Sequence, residues 1–332
     1  MDFGFTDEQT MLGESLARTL DRGGDAAALS ELGAGLALMT EEAGGFGGTG
    51  PDILMVFRTL GRAAAVTPLL DSVVLGAGIL SAAGEADLAE AAASGEARIA
   101  VALDEPGQRY DGKVSTHAEG ERLTGEKSLV PGAEDATHLI VKATDGLWLV
   151  EAGAEGLGLR SYALMDGGRA AEVTLKDTPA RRIGDASLLD RPLAAAILAV
   201  CADALGAMEK AVELTTDYLK TRKQFGRPIG SFQALQHRMA DLLTEVEQAR
   251  SAVWNLAGNL DTADRDRHVA ATKSLLGRVA LYVAEETIQL HGGIGMTEEY
   301  ELAPLARRLL AADARFGDSD HHLERFIAAS AA

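Results

Sequence analysis

The chain has 332 residues, 47% hydrophobic and 24% charged, the proportions of a globular protein. Its formal net charge of −19 repels polyphosphate backbones, so no nucleic-acid partner is expected, and an anionic ligand must be held by local cations and backbone N–H groups. No apolar run approaches the roughly 20 residues that cross a bilayer; Met1-Asp2-Phe3-Gly4-Phe5 lacks the basic and apolar stretches of a signal peptide, and the single Cys201 permits no internal disulfide. The expectation is a cytoplasmic protein with no membrane association.

Three segments follow from the change of pattern along the chain: 1–95, 96–187 and 188–332. The first is rich in Ala, Leu and Gly at helical spacing. It opens with a capping box, Thr6 and Gln9 exchanging bonds, ahead of Met11, Leu12, Leu16 and Leu20. A glycine-rich break, Met39-Thr40-Glu41-Glu42-Ala43-Gly44-Gly45-Phe46-Gly47-Gly48, then separates helices. It follows no strand and opens no βαβ unit, so a dinucleotide loop is rejected.

The second segment shortens into strands and turns. Arg98–Leu103, Leu123–Ala133, His138–Lys142, Leu147–Val150 and Glu172–Leu175 read as strands of a small β-barrel-like domain. The third returns to long amphipathic helices. Asp190 and Pro192 suit a helix start, and Leu193, Ile197, Cys201, Leu205, Met208 and Val212 step by three or four. Further apolar stripes run from Leu235 to Leu256 and from Leu276 to Leu290, the latter stopping at Gly292, with a fourth starting at Leu302, Leu305 and Leu309. Four such helices make a bundle. The fold class expected is mixed and mainly α: an N-terminal helical domain, a middle β-barrel-like domain and a C-terminal four-helix bundle. Cys201 lies on the apolar stripe and reads as core filler.

Two motifs carry the chemistry. The first is Thr221-Arg222-Lys223-Gln224-Phe225-Gly226-Arg227-Pro228-Ile229 with Ser231-Phe232-Gln233; the second is Gln289-Leu290-His291-Gly292-Gly293-Ile294-Gly295. Arg222 offers a planar fork that matches phosphate oxygens. Gln233 offers an amide to hydroxyls or phosphate, Phe225 a flat apolar surface, and Gly292, Gly293 and Gly295 a backbone that a ligand can approach closely. Together the motifs resemble the flavin-binding signature of the acyl-CoA dehydrogenase family, R-x-x-F-G-x-x-I, a later Gln, then Q-x-x-G-G-x-G, which includes Gln289. The glycine-rich break resembles that family's P-E-E-x-G-G-x-G turn, with Thr40 in place of Pro. The resemblance implies FAD, its pyrophosphate and adenosine held across a subunit interface, and α,β-desaturation of an acyl-CoA thioester. A carboxylate then removes the α-proton while the β-hydride leaves for the flavin.

The sequence departs from that family in two places. Of a T-E-P-x-x-G-S-D segment that wraps the flavin ring only Glu105-Pro106-Gly107 is kept, and Leu129-Val130-Pro131 replaces W-I-T. The family's Y-E-G-T-S base segment corresponds to Arg315-Phe316-Gly317-Asp318-Ser319. Counting from Gly292-Gly293 puts Phe316 at the glutamate; counting back from Arg325-Phe326-Ile327 puts Asp318 there. A base on the first bundle helix, found in a minority of members, falls at Ala196 and is absent. Asp318 is thus the one candidate base, a methylene shorter than Glu, and otherwise belongs to a solvated loop. A metal reading of Asp318, Asp320, His321 and His322 lacks a third fixed ligand.

Two functions remain open. One is an FAD-dependent dehydrogenase working as a homo-oligomer. The other is a non-catalytic, cofactor-binding subunit of a heterotetramer, completed by a glutamate-bearing family member. An electron-transfer flavoprotein or similar acceptor is implied in either case.

Overall fold

The structure, a computed structural model, describes residues 4–108, 110 and 112–331. Helix α1 (Asp7–Asp21) begins at the expected capping box: the Thr6 N–H donates to Gln9 Oε1 at 3.0 Å and the Gln9 N–H to Thr6 Oγ1 at 3.2 Å. Asp25 caps α2 (Ala26–Glu31) by accepting the N–H groups of Ala27 and Ala28. The glycine-rich break then folds on itself before α3 (Gly50–Arg62). A Cβ on Gly45 would lie 2.2 Å from the Met39 carbonyl oxygen, so these glycines serve backbone packing. A π-helical stretch, Leu69–Ala77, leads into α4 (Gly78–Ala82) and α5 (Ala86–Ser94).

Eight strands follow: β1 (Ile99–Ala102), β2 (His117–Glu119), β3 (Arg122–Pro131), β4 (His138–Ala143), β5 (Gly146–Glu151), β6 (Leu157–Ala163), β7 (Arg169–Pro179) and β8 (Arg181–Gly184). They form two four-stranded sheets, ordered β1-β4-β5-β8 and β2-β3-β7-β6. All pairings are antiparallel except β1 with β4. One core unites the sheets, with Ala100, Leu139, Val141 and Val150 from the first and Leu123, Val130, Val173 and Leu175 from the second. The barrel-like expectation therefore takes the form of two facing sheets.

The last segment holds α6 (Asp190–Thr221), a short hairpin of β9 (Lys223–Gln224) and β10 (Arg227–Pro228), then α7 (Gln233–Asn259), α8 (Arg265–His291), α9 (Leu302–Ala314) and α10 (Ser319–Ala331). A fifth helix is thus added to the four that the apolar spacing predicts. The chain leaves α9 at Phe316 and Gly317, whose φ angles of +56° and +104° no helix accommodates. The stretch Ala186–Thr221 is long and apolar enough by composition to cross a bilayer, longer than the sequence reading allowed, but 89% of its most apolar window is buried inside the fold. Cys201 is fully buried there, and burial pushes its thiol up to about 12, which leaves it unreactive.

The described residues divide into two compact units. One takes the chain up to Asp21, Ile53–Ala65 and everything from Ile197; the other takes Arg22–Asp52 and Val66–Ala196. In the first, α8 packs on α7, α9 and α10. A Cβ on Gly206 would lie 2.0 Å from the Arg58 carbonyl oxygen, so α6 and α3 cross with their backbones nearly touching. Buried Glu209 on α6 binds Arg58 and Arg62 of α3 and Arg250 of α7, and Asp203 of α6 holds Arg308 of α9. These charge-assisted bonds fix α6 and α7, the helices that flank the first motif.

Candidate functional site

Arg222 follows directly on α6 and enters the β9–β10 hairpin, whose tip is Phe225-Gly226, at φ +53° and +77°. Phe225 is 89% exposed and meets Phe232 edge-on with centroids 6.0 Å apart, while the Arg227 guanidinium lies 4.1 Å from the Phe232 ring. Gln233 opens α7 and is exposed. From Tyr218 to Ala240 the sequence contains no Asp or Glu, yet carries Arg222, Lys223 and Arg227 together with Lys220 and Arg238, which pair with Asp217 at 4.0 Å and Glu286 at 2.7 Å. In a chain of net charge −19 this is the local cationic field that an anionic ligand requires.

The second motif ends α8. Gln289 is exposed and lends its carbonyl to the N–H of Gly292, which terminates the helix at φ +66° and ψ −143°. A Cβ on Gly292 or Gly293 would meet nothing within 4 Å, so open space lies over both. Gly295 differs: its Cβ would come 2.9 Å from the Ile288 carbonyl oxygen, and its role is to let the turn close on α8. The Gly292 N–H is already committed to the helix end, so the backbone donor left for a ligand is at Gly293. The side chains of Arg222, Gln233 and Gln289 have no partner among the described residues.

The two motifs meet through residues that the sequence reading did not single out. Tyr218, one turn before Arg222, stacks on His291, one residue before Gly292, with centroids 4.6 Å apart. Tyr300 also lies against His291, tilted, with centroids 5.0 Å apart. His291 Nδ1–H donates to the Thr287 carbonyl at 2.8 Å, and burial lowers the ring's pKa, keeping it a neutral aromatic spacer. The ends of α6 and α8 therefore stand side by side, with Arg222 following the first and the Gly292-Gly293 backbone following the second. The donor set fits a dinucleotide pyrophosphate: an unpaired guanidinium, free amides and a backbone with no Cβ in the way.

Asp318 lies elsewhere in the same unit, in the elbow between α9 and α10. It is half-buried, and its Oδ1 accepts the His321 N–H at 2.9 Å, the bond of a helix N-cap. His322 Nε2–H donates to the Phe316 carbonyl at 2.9 Å, and the Lys273 ammonium donates to the carbonyls of Asp313 and Gly317, each at 2.7 Å. Lys273 is fully buried, and burial lowers its pKa. Phe316 shows its aromatic ring to the Arg315 guanidinium at 4.7 Å.

Residues 187–331 match the C-terminal domain of acyl-CoA dehydrogenases. Over 292 residues the chain is 33% identical to the acyl-CoA dehydrogenase FadE27 of Mycobacterium tuberculosis, covering 80% of this chain and 77% of that one. The chain belongs to the acyl-CoA dehydrogenase family. A second relative from the same organism, the acyl-CoA dehydrogenase FadE28, is 30% identical and matches 98% of this chain and 97% of its own. Among solved structures, the ChsE4–ChsE5 complex from Mycobacterium tuberculosis superposes with a TM-score of 0.91 at 26% identity, covering 100% of this chain and 99% of that one. The Tcur3481–Tcur3483 steroid ACAD, a G363A variant, gives 0.89 at 28% identity, covering 98% and 99%.

The other unit of this acyl-CoA dehydrogenase family member holds the two altered segments. Glu105 is buried and accepts five bonds, from the N–H and hydroxyl of Ser115, the N–H and hydroxyl of Thr116, and the Lys127 ammonium at 2.9 Å. Burial alone would raise its pKa, but these donors outweigh it and hold the carboxyl well below the usual range. Glu105 is thus the clasp of its own loop. Leu129, in the replaced W-I-T segment, sits at a bulge of β3 with φ +50° and is 45% exposed. Beside it Tyr162 donates its hydroxyl to Glu172 at 2.7 Å, and burial with that carboxylate pushes the phenol up to about 12.

Proposed function

We propose that this protein binds FAD and takes part in α,β-desaturation of an acyl-CoA thioester as one subunit of an oligomer, the proton-abstracting carboxylate coming from a partner family member. The observation that carries this reading is the elbow. Of the two positions that resemblance gives to the base, one holds Phe316, and the other holds Asp318, which is occupied in capping α10. Arg222 would clamp the pyrophosphate through its planar fork, the Gly293 N–H would add a donor, and the amides of Gln233 and Gln289 would bond phosphate or ribose hydroxyls. When bound, FAD supplies the acceptor for the substrate hydride. Electrons would pass on to an electron-transfer flavoprotein or similar acceptor. Relatives named as two-component assemblies, ChsE4–ChsE5 and Tcur3481–Tcur3483, support a paired arrangement for this chain.

The test is expression of the chain alone and together with the family member encoded beside it. The expected result is that only the pair purifies with flavin that octanoyl-CoA bleaches. A chain that alone binds FAD, is bleached by octanoyl-CoA and loses this in Asp318→Asn would instead be a self-sufficient dehydrogenase. Protein that stays colourless in both preparations and ignores added FAD ends the flavin reading altogether.

A further inference from the structure

His291 is the last residue of α8 and is 3% exposed, so its ring lies beneath the candidate dinucleotide site and not on it. It stacks on Tyr218 of α6 with the two planes inclined by 29°. Tyr218 is bonded in turn to the residue that carries the guanidinium. Its carbonyl accepts the Arg222 N–H at 2.8 Å, and the Ile229 N–H donates to the Arg222 carbonyl at 2.9 Å. The Arg222 backbone is thus held on both sides, once to the helix turn of Tyr218 and once across the hairpin. The glycine turn is tied to the same imidazole. A Cβ on Gly295 would come 2.9 Å from the His291 Cβ, and Tyr300, beyond the turn, lies against the ring. The ring itself is oriented from below: Nδ1–H donates to the Thr287 carbonyl, and the Thr287 hydroxyl donates to the Val283 carbonyl at 2.7 Å.

Two donors on separate helices bind one pyrophosphate well only when their spacing is fixed beforehand, since ordering them on binding costs affinity. We infer that His291 is a positioning residue for dinucleotide binding, its ring setting the spacing between the Arg222 guanidinium and the Gly293 N–H so that both reach one pyrophosphate. Being buried, the ring acts through those two donors and not on the ligand. It does so as a flat spacer against Tyr218. The inference rests on the FAD reading above and adds to it the residue that makes two separate donors one site.

The experiment is a fluorescence titration of FAD into wild type, His291→Phe and His291→Gln, each with Arg222 intact and as Arg222→Ala. It uses the chain alone or with its partner, whichever binds FAD. Phenylalanine keeps a flat ring against Tyr218 and loses the bond to Thr287; glutamine keeps a polar group and loses the ring. His291→Phe is expected to bind FAD within about twofold of wild type, and His291→Gln roughly tenfold more weakly. In the Arg222→Ala background His291→Gln adds less than about twofold, because the guanidinium through which the ring acts is gone. Wild-type affinity in His291→Gln, equal losses in His291→Phe and His291→Gln, or the same loss with and without Arg222 each overturn the inference and leave the FAD reading standing. A wild type that ignores FAD overturns both. Should His291→Gln fail to fold, Tyr218→Leu removes the stack from the α6 side, and the same comparison across the two Arg222 backgrounds decides.

Discussion

A carboxylate at Asp318 can cap a helix or take a proton, and two substitutions separate the tasks. In the structure its Oδ1 accepts the His321 N–H at 2.9 Å, at the start of α10. Asparagine caps helices about as well as aspartate, whereas alanine loses the bond and about 1 kcal/mol, within a range of roughly 0.5–2. For a cooperative unit of this size that is about 2–4 °C in melting temperature. Asp318→Asn should therefore melt close to wild type and Asp318→Ala measurably below it, by circular dichroism at 222 nm. Neither should slow the acyl-CoA-driven bleaching of the flavin in the competent assembly by more than about threefold. Loss of a general base removes on the order of 100- to 10,000-fold in rate. The reasoning is refuted if Asp318→Asn keeps its melting temperature but loses bleaching on that scale.

Three further outcomes follow from the same geometry. A Cβ at Gly293 meets nothing within 4 Å in the free chain, so Gly293→Ala should fold normally yet bind FAD more weakly, and Arg222→Ala should bind it at least about tenfold more weakly; flavin titrations at wild-type affinity would refute the pyrophosphate assignment. Glu105→Gln strands the fully buried Lys127 ammonium, and urea unfolding should show a loss of about 3–5 kcal/mol; a loss below about 1 kcal/mol would mean that the clasp is slack. Burial pushes His322 down to about 4, against about 6.5 in the unfolded chain, so the unfolded state binds the extra proton between those values. Stability is then full above about pH 6.5 and falls as pH drops, by about 3 kcal/mol at pH 4. His322→Gln keeps a donor for the Phe316 carbonyl without a titrating ring, and its acid limb should be shallower; an identical limb would refute the role.

Much of the fold is legible because the physical reasons are local. The Thr6–Gln9 capping box is written in the sequence, and the stripes of α6, α7 and α8 keep helical spacing. Strands β1 and β5 are apolar on both faces, since β1 is buried throughout and β5 at all positions but Glu151. Strand β6 was missed because it is the edge of its sheet and exposed at most positions, so no alternation marks Leu157–Ala163. The break between α9 and α10 is legible only through the resemblance, which puts a loop at Asp318, because a bulky Phe316 with positive φ contradicts local preference. The site divides the same way. Arg222, Gln233 and Gly292-Gly293 are recognisable by type and spacing. The Tyr218–His291 stack and the burial of Lys273 depend on residues far apart in sequence, and a lone lysine ordinarily reads as surface.

Backbone strain connects the legible and the illegible parts. Six described residues other than glycine have positive φ, and the two small or turn-prone ones, Ala64 and Asp177, lie just beyond α3 and within β7. The four bulky ones do not scatter. Tyr110 lies in the loop after Glu105-Pro106-Gly107, Leu129 in the segment that replaces W-I-T, Phe225 at the tip of the arginine hairpin and Phe316 at the base position. Each conformation costs on the order of 1–3 kcal/mol, and glycine would remove that cost at any of the four. Phe225 is 89% exposed and Leu129 45% exposed, so little intramolecular packing offsets the strain at either place. Bulk, strain and exposure coincide at Phe225 and Leu129, on two of the segments that resemblance assigns to flavin, whereas Tyr110 and Phe316 are half-buried.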